Sequence, residues 1–245
     1  MSSQLAPSSS LAPIRAALPL GLPDAAALFA FAADAERRVA TLRLRIEEQG
    51  QSTTGPTTTE IELLVARPHA RVTTRKADGS YELWATDGSV IEGYNSATKT
   101  ATRRPHRAAP TGLTEPGIPA ASRVPTSLGP LPARGWATTF LRPSSFCTTV
   151  LAGAVLGSVE ARLIAGRAAL TLEAAAPRTV ELSGDRADFR YRVAFDRATG
   201  ILLCVEEFRG ETLMRSACVT AVGIDEQIPA SDFTIELPAG TIPLY

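Results

Sequence analysis

Residues that build metal sites and disulfide frameworks are scarce in this sequence. It contains three cysteines, Cys147, Cys204 and Cys218, without Cys-x-x-Cys spacing, and only two histidines, His69 and His106. An odd number of widely spaced cysteines indicates neither a zinc site nor a disulfide framework. Cys204 and Cys218 can pair across neighbouring strands, but buried free thiols are the favoured interpretation. We therefore expect no metal site.

The sequence motifs of common catalytic mechanisms are also missing. There is no Gly-x-Ser-x-Gly elbow, no His-Glu-x-x-His helix and no glycine-rich phosphate loop. His69 follows Pro68 at a predicted strand end and His106 follows Pro105, so both histidines are expected in loops. Nucleophilic, metal-dependent and nucleotide-dependent mechanisms are disfavoured. No catalytic residue and no cofactor is assigned.

Neither an excess of charge nor a long apolar run is present. Lys+Arg and Asp+Glu number 25 each, so the basic footprint of a nucleic-acid-binding protein is missing. No segment reaches the roughly 18 apolar residues that a membrane-spanning helix needs. Pro13, Pro19 and Pro23 interrupt the only apolar stretch near the start, so no secretory signal is visible. We expect a cytoplasmic protein, or an extracytoplasmic one if a leader has been removed.

What the sequence does contain is a change of apolar period close to Val39. Residues 1–22 are rich in Ser, Pro, Ala and Leu and are predicted to form a disordered tail. Residues 24–39 have helical spacing, with Asp24 as the N-cap. From Leu42 onward apolar residues alternate with charged ones, which is typical of half-buried strands. This alternation, interrupted by short turns, predicts a meander of about six strands.

A proline-rich segment then separates two groups of predicted strands. Eight prolines occur between residues 104 and 145, with little periodicity. Such a long irregular segment in a compact domain is typical of a functional lid. Trp136, Phe140 and Phe146 near its end are expected to pack over the sheet. We predict that residues 104–157 form a lid insertion, after which strands resume.

Stretches of sequence along both strand groups follow an order that resembles a known family. Residues 83–95 contain a strand, an Asp-Gly turn and a strand ending in Tyr, and residues 164–173 contain a Gly-Arg turn before an apolar strand. Residues 193–203 contain a strand ending in Asp, a Thr-Gly turn and a Leu-rich return, and residues 225–237 contain Ile-Pro and Asp-Phe-Thr. Together they resemble the LolA-like superfamily of periplasmic lipoprotein carriers, which includes a sensor domain that binds anti-sigma factors. The resemblance implies an open half-barrel whose apolar concave face, covered by helices and loops, holds acyl chains or an apolar partner segment.

We therefore predict a mainly β fold in one domain, residues 23–245. A curved antiparallel sheet of about eleven strands forms an open half-barrel, with an N-terminal helix and a helix and loop lid, and leaves room for a ligand. The predicted ligand-binding residues are apolar strand residues, tyrosines and lid aromatics: Leu44, Ile46, Leu63, Val65, Tyr81, Leu83, Tyr94, Trp136, Phe140, Phe146, Tyr191, Val193 and Phe195. The alternative is that these side chains simply fill a core.

Two functions fit this fold. The first is a carrier or sensor that binds a hydrophobic ligand, such as a lipid, an acyl chain or a polyketide-like small molecule. The second is a cofactor-independent cyclase or isomerase of secondary metabolism, because near-attack geometry alone can contribute ~7–11 kcal/mol. An enzyme of bacterial violacein biosynthesis is similar to the LolA-like fold, and the missing leader favours this second function. Binding remains the preferred interpretation, in a monomer or weak dimer with no nucleic-acid partner and no membrane span.

Overall fold

The structure, a computed structural model, describes residue 18 and residues 20–52, 55–105, 136–175 and 188–244. Most of the predicted tail, the greater part of the predicted lid and His106 therefore lie outside the described residues. None of the helices in the described part of the chain is long and apolar enough to cross a membrane.

Two short helices open the domain where the sequence predicts one. Helix α1 spans Ala25–Ala33 and begins at Asp24, whose side chain accepts a hydrogen bond from the Ala27 amide at 2.6 Å. Helix α2 spans Ala35–Arg38. The junction is Asp34, which ends α1 and precedes α2, and its carboxylate binds Arg37. An aspartate in this position favours a helix boundary over a helix interior, because its short side chain competes for nearby polar groups.

One sheet, antiparallel except at its β13 edge, contains all thirteen strands of the described residues, compared with about eleven predicted from the sequence. The first six form a meander: β1 Thr41–Ser52, β2 Gly55–Ala66, β3 His69–Lys76, β4 Tyr81–Thr86, β5 Val90–Asn95 and β6 Thr100–Pro105. The others are β7 Val155–Leu156, β8 Glu160–Ile164, β9 Arg167–Ala175, β10 Phe189–Asp196, β11 Leu202–Arg209, β12 Thr212–Ile224 and β13 Ile242–Leu244.

The sheet is open and is not closed into a barrel. Its order is β13-β6-β5-β4-β3-β2-β1-β12-β11-β10-β9-β7, with β8 also paired to β9. The pairing of β1 with β12 joins the two strand groups, and the short β13 adds a parallel edge beside β6. The predicted half-barrel is confirmed, with the two strand groups side by side in one curved sheet.

Different chain segments cover the two faces of the sheet. The inner face, as we name it, packs against α1, α3 (Ala137–Leu141), α4 (Pro143–Thr149) and the single turn Leu151–Gly153. Over β4–β6 the outer face is covered by the segment that contains Ile235, in a second, smaller cluster with Ala85, Tyr94 and Ala101. Both faces of the meander are therefore partly buried.

The turn between β10 and β11 anchors α1 to the sheet. Asp196 is 1% exposed, and its carboxylate accepts hydrogen bonds from the Thr199 amide at 2.8 Å and from Nε of Arg167 at 2.5 Å. Arg38 donates from α2 to the Thr199 carbonyl at 3.0 Å and to the Phe31 carbonyl. The strand-Asp, Thr-Gly pattern seen in the sequence thus forms a docking turn for the N-terminal helices.

Two of the three cysteines are paired. Cys204 in β11 lies directly opposite Cys218 in β12, and the two form a disulfide. The expectation of free thiols is wrong for these residues, because the strand register places them face to face. Cys147 in α4 is a buried free thiol, and burial raises its pKa to about 12.

Candidate ligand-binding site

The inner face brings together ten of the thirteen residues selected from the sequence. They belong to one buried cluster and are at most 7% exposed: Leu44, Ile46, Leu63, Val65, Trp136, Phe140, Phe146, Tyr191, Val193 and Phe195. Those on strands share a face because the register aligns Leu44 with Leu63 in one half of the sheet. We call these ten residues the inner cluster. Whether they bind a ligand stays a prediction.

The other three selected residues lie on the outer face. In the β3–β4 hairpin Val72 is opposite Trp84, whereas Leu83 is opposite Thr73. Since Val72 packs into the buried core of the inner face, Trp84 and not Leu83 points inward there. Tyr81, Leu83 and Tyr94 instead pack around Ile235, and the two tyrosine rings are 5.7 Å apart. Their assignment to the inner face is therefore corrected.

Three aromatic rings from separate elements meet over the sheet. Trp136 precedes α3, Phe146 is in α4 and Tyr191 is in β10. The ring centroids are 6.1 Å apart for Trp136 and Phe146, 5.7 Å for Trp136 and Tyr191, and 5.7 Å for Phe146 and Tyr191. All three pairs are edge-to-face, the arrangement that aromatic quadrupoles favour. We call this group the aromatic trio.

A charged pair lies next to the aromatic trio on the same face. Nη2 of Arg215 in β12 is 2.6 Å from a carboxylate oxygen of Glu48 in β1. The Arg215 guanidinium also lies over the Trp136 ring, 5.2 Å from its centroid, in a cation–π arrangement. The Trp136 amide donates to the other Glu48 oxygen at 3.5 Å. The pair thus links the sheet to the start of α3.

Strand register places a second carboxylate close by. Glu207 in β11 lies directly opposite both Tyr191 and Arg215. Residues that are directly opposite share a face, so Glu207 also belongs to the inner face. This end of the inner face therefore combines aromatic rings with two carboxylates and one guanidinium.

The indole N–H of Trp136 is an unsatisfied donor. Trp136 is 7% exposed, and its Nε1 atom is buried without a hydrogen-bond partner among the described residues. Buried indole N–H groups usually find an acceptor, because leaving such a donor unpaired costs about 1–3 kcal/mol. This atom is the one polar group of the aromatic trio that points to a missing partner.

Polar contacts hold α4 against the N-terminal helices. The Ser144 hydroxyl in α4 donates to a Glu36 carboxylate oxygen in α2 at 2.6 Å. Arg67, at the end of the β2 strand, donates to the Glu36 carbonyl at 2.6 Å. Glu36 thus connects α2, α4 and the turn between β2 and β3. Helix α4 begins at Pro143, whose fixed φ suits a first helical turn.

Sequence reasoning missed Glu48, Glu207 and Arg215. The sequence does indicate the position of Glu48. It follows Leu44 and Ile46 at a spacing of two residues, so its carboxylate lies on the same face as these apolar side chains. The sequence does not indicate on which face Arg215 lies. That face depends on the pairing of Arg215 with Glu207, and the register between the two strands is irregular directly after Glu207.

Three surface clefts lie away from the inner cluster. One of about 370 Å³, which we call the outer cleft, is lined by Ala101, Ile235, Leu237, Pro243 and Leu244, among others. A second of about 190 Å³ adjoins His69 and Phe233, whose rings are 5.6 Å apart, and a third of about 390 Å³ adjoins Glu173 and Arg192. None of the three is lined by a residue of the inner cluster.

The third cleft is flanked by an ion-pair network. Arg192 is 2.7 Å from Glu173 and 3.4 Å from Glu206, and Arg190 is 3.2 Å from Glu173. The hydrogen bond from Arg192 lowers the pKa of the Glu173 carboxyl and raises that of the guanidinium. Across the ranges that the structure describes, no group of three His, Cys, Asp or Glu residues is arranged to hold a metal ion.

Comparison with known proteins gives matches of structure only. No protein-family model and no curated protein sequence matches the chain. The crystal structure of MucB matches with a TM-score of 0.53 at 18% identity, over 87% of this chain and 63% of MucB. The complex of Pseudomonas aeruginosa MucA and MucB matches with a TM-score of 0.49 at 17% identity, over 87% and 62% of the two chains.

A second fold match comes from another bacterium. An uncharacterized conserved protein from Thermus thermophilus matches with a TM-score of 0.51 at 8% identity, over 90% of this chain and 99% of that one. The chain spans less than two thirds of the length of MucB. At such low identities the likeness concerns the fold alone. The chain shares its fold with MucB and with the Thermus thermophilus protein, and this fold is the open half-barrel that the sequence predicts.

Proposed function

We propose that the protein binds an acyl chain between the inner face of the sheet and the lid helices α3 and α4. The observation that carries this proposal is the aromatic trio, in which two residues of the predicted lid pack edge to face on one residue of the sheet, beside the inner cluster. Burial of apolar ligand surface would supply the affinity, at ~25 cal/mol per Å² before ordering costs are subtracted. A ligand would enter as α3 and α4 move away from the sheet.

Two features argue against an inner face that serves only as a core. A purely structural core gains little from a charged residue in the apolar phase, yet Glu48 and Arg215 occupy that face. The Trp136 Nε1 donor is also left without an acceptor. Both features are expected at a site that receives a ligand with a polar end.

We further infer that the protein works in an oxidising compartment. The support is the Cys204–Cys218 disulfide, since disulfides persist outside the cytoplasm and are rare within it. This favours the extracytoplasmic alternative over the cytoplasmic expectation.

Two alternatives keep the same site but change its occupant or its chemistry. A partner's apolar segment could fill the site, and MucB, which shares the fold, has been solved in complex with MucA(peri). The cofactor-independent cyclase or isomerase for a polyketide-type substrate stays a prediction, and Glu48 and Arg215 are engaged with each other. A bound small molecule that is recovered unchanged would support binding over catalysis.

The proposal is tested by titrating the full chain with a naphthylamine dye that fluoresces in apolar surroundings, followed by competition with methyl laurate. Two variants are compared with the wild type. Phe146→Ala removes a ring of the aromatic trio, whereas Leu237→Ala removes a side chain, 53% exposed, from the outer cleft. Circular dichroism checks that both variants are folded.

We expect saturable dye binding that methyl laurate displaces. Phe146→Ala should weaken it roughly tenfold or more, because a buried Phe contributes about 1.5–3 kcal/mol, and Leu237→Ala should leave it unchanged. Absence of saturable binding to the wild type would overturn the proposal. Weaker binding in Leu237→Ala alone would move the site to the outer cleft and would overturn it as well.

A further inference from the structure

We propose that the acyl ligand carries a neutral carbonyl oxygen, as in an ester or an amide, and that this oxygen accepts a hydrogen bond from Nε1 of Trp136. The inference rests on the proposed function, because it names the polar end of the ligand held in the same site. It has two parts, the presence of an acceptor and the absence of charge on it.

The unsatisfied donor requires an acceptor. Nε1 of Trp136 is buried and has no partner in the part of the chain that the structure describes. The indole has a donor and no acceptor, so only an oxygen or another lone-pair atom can satisfy it. A hydrocarbon in this site would leave the donor unpaired, whereas a carbonyl would satisfy it while its chain packs on the aromatic trio.

The position of Trp136 fits the polar end of a ligand. The side chain of Arg215, which lies over the indole ring, is 40% exposed, so this end of the inner face reaches solvent. Val193 and Phe195, farther along the strand from Tyr191, are 0% exposed. A chain lying along β10 would therefore run from a partly hydrated end near Trp136 into a dry interior.

The charges around this end favour a neutral acceptor over a carboxylate. Glu48 already takes the guanidinium of Arg215, and Glu207 adds a second carboxylate on the same face. Farther out on this face, Arg209 pairs with Asp188 at 2.9 Å. A ligand carboxylate would bring a further anion close to Glu48 and Glu207, and like charges at short range repel strongly where water is partly excluded. A neutral carbonyl avoids this repulsion.

Three ligands with the same chain separate the two parts of the inference. Methyl laurate has a neutral carbonyl, lauric acid is a carboxylate at neutral pH, and dodecane has no acceptor. Each competes with the naphthylamine dye on the full chain, for the wild type and for Trp136→Phe, which keeps an aromatic ring but lacks the N–H. Trp84→Phe removes the other indole of the protein, which also faces inward but lies in β4, outside the aromatic trio, and it shows what a Trp→Phe exchange does elsewhere on this face.

We expect the wild type to bind methyl laurate more tightly than either lauric acid or dodecane. Trp136→Phe should weaken methyl laurate binding about tenfold, the affinity equivalent of one hydrogen bond to an otherwise unsatisfied donor, and leave dodecane unchanged. Trp84→Phe should preserve the preference for the ester. Equal loss for ester and hydrocarbon would overturn the hydrogen bond, and tighter binding of lauric acid would overturn the neutral acceptor.

A second measurement needs no variant. In a proton–nitrogen NMR spectrum the indole N–H signal of Trp136 should move downfield on addition of methyl laurate and much less with dodecane, while the Trp84 signal acts as an internal reference. An unmoved Trp136 signal at saturating ester would overturn the inference even if Trp136→Phe failed to fold. If none of the three ligands displaces the dye, the proposed function itself fails, which differs from binding without ester preference.

Discussion

Asp87 and Asp196 close two turns with the same local hydrogen bonds in different surroundings. Asp87 accepts from the amides of Ser89 and Val90, both at 2.7 Å, and these bonds lower its pKa to about 2 on an exposed turn. Asp196 accepts from the Thr199 amide in the same manner, but it is buried and also bound to Arg167. A side-chain oxygen that caps a local turn is therefore common to both, and burial distinguishes them.

Replacing each aspartate by alanine measures how much burial adds to the contribution of such a turn to the free energy of unfolding. Asp196→Ala should lower the free energy of unfolding by about 2 kcal/mol, because it removes a buried carboxylate that accepts from two turn amides and binds the partly buried Arg167. Asp87→Ala should cause a clearly smaller loss, since water can replace its bonds. Urea unfolding at neutral pH provides the comparison, and equal losses would show that the Asp196 contacts contribute nothing beyond the turn.

The three cysteines should react in a fixed order. Native protein should resist iodoacetamide, because the Cys147 thiol is buried with its pKa raised to about 12 and the other two are bonded. Denaturation without a reductant should expose one alkylation site, and denaturation with a reductant all three. Mass spectrometry of the intact chain counts the added groups. Three groups without a reductant would refute the disulfide and with it the inferred compartment.

At the scale of elements, α1 depends on a close approach to the β10–β11 turn. Gly200 has a φ of +77°, and a Cβ there would lie 3.0 Å from the Phe31 carbonyl oxygen and 2.8 Å from the Arg38 guanidinium. The helix backbone therefore needs a glycine at this point of the turn. Gly210 has a φ of +56° with nothing within 4 Å of its added Cβ, so it has the same backbone requirement without the contact.

The two glycines form a matched pair for a test of helix docking. Gly210→Ala should lower the free energy of unfolding by about 1 kcal/mol, the usual loss for a left-handed residue with a Cβ. Gly200→Ala should lower it by more, because α1 and its Arg38 anchor must shift as well. Thermal unfolding and amide exchange in α1 would report this, and identical behaviour of the two variants would contradict a docked helix.

The sequence predicted the positions of helices and strands correctly where the period of the apolar residues and the turn residues indicated the same boundaries. The alternation from Leu42 and the Asp-Gly turns located β1 to β6, and Asp24 marked the start of α1. Strands β7 and β13, with two and three residues, are too short to show a period. The face of β4 was misassigned because both faces of the meander are covered, so an apolar phase alone does not show which face is the inner one.

At the scale of the whole molecule, the open sheet creates two unlike environments. The inner face is covered by helices that precede and interrupt the strands, and the outer face of the meander by the segment after β12. Helices α3 and α4 are joined to the sheet by side-chain contacts, whereas a strand is also held by backbone hydrogen bonds to its neighbours, so the helices can move more easily. This difference makes the inner face the better candidate for a ligand that must enter and leave.

The overall fold could be predicted from the sequence, but the charged residues of the inner face could not. Family-like turns in the correct order and the alternation of strands determine the half-barrel. Glu48, Glu207 and Arg215 become neighbours only through the pairing of β1, β12 and β11, whose registers include irregularities. A shift of one residue reverses every side chain, so this cluster requires coordinates.

The claim that the inner face binds an acyl chain is tested most directly by photocrosslinking. A lauric ester with a diazirine in its chain is bound to the full protein, irradiated and mapped by peptide mass spectrometry, with excess methyl laurate as the competitor. Labels that methyl laurate competes are expected on the peptides that contain Trp136 to Phe146 and Tyr191. Labels confined to the outer cleft around Ala101, Ile235 and Leu244, or labels that methyl laurate does not compete, would contradict it.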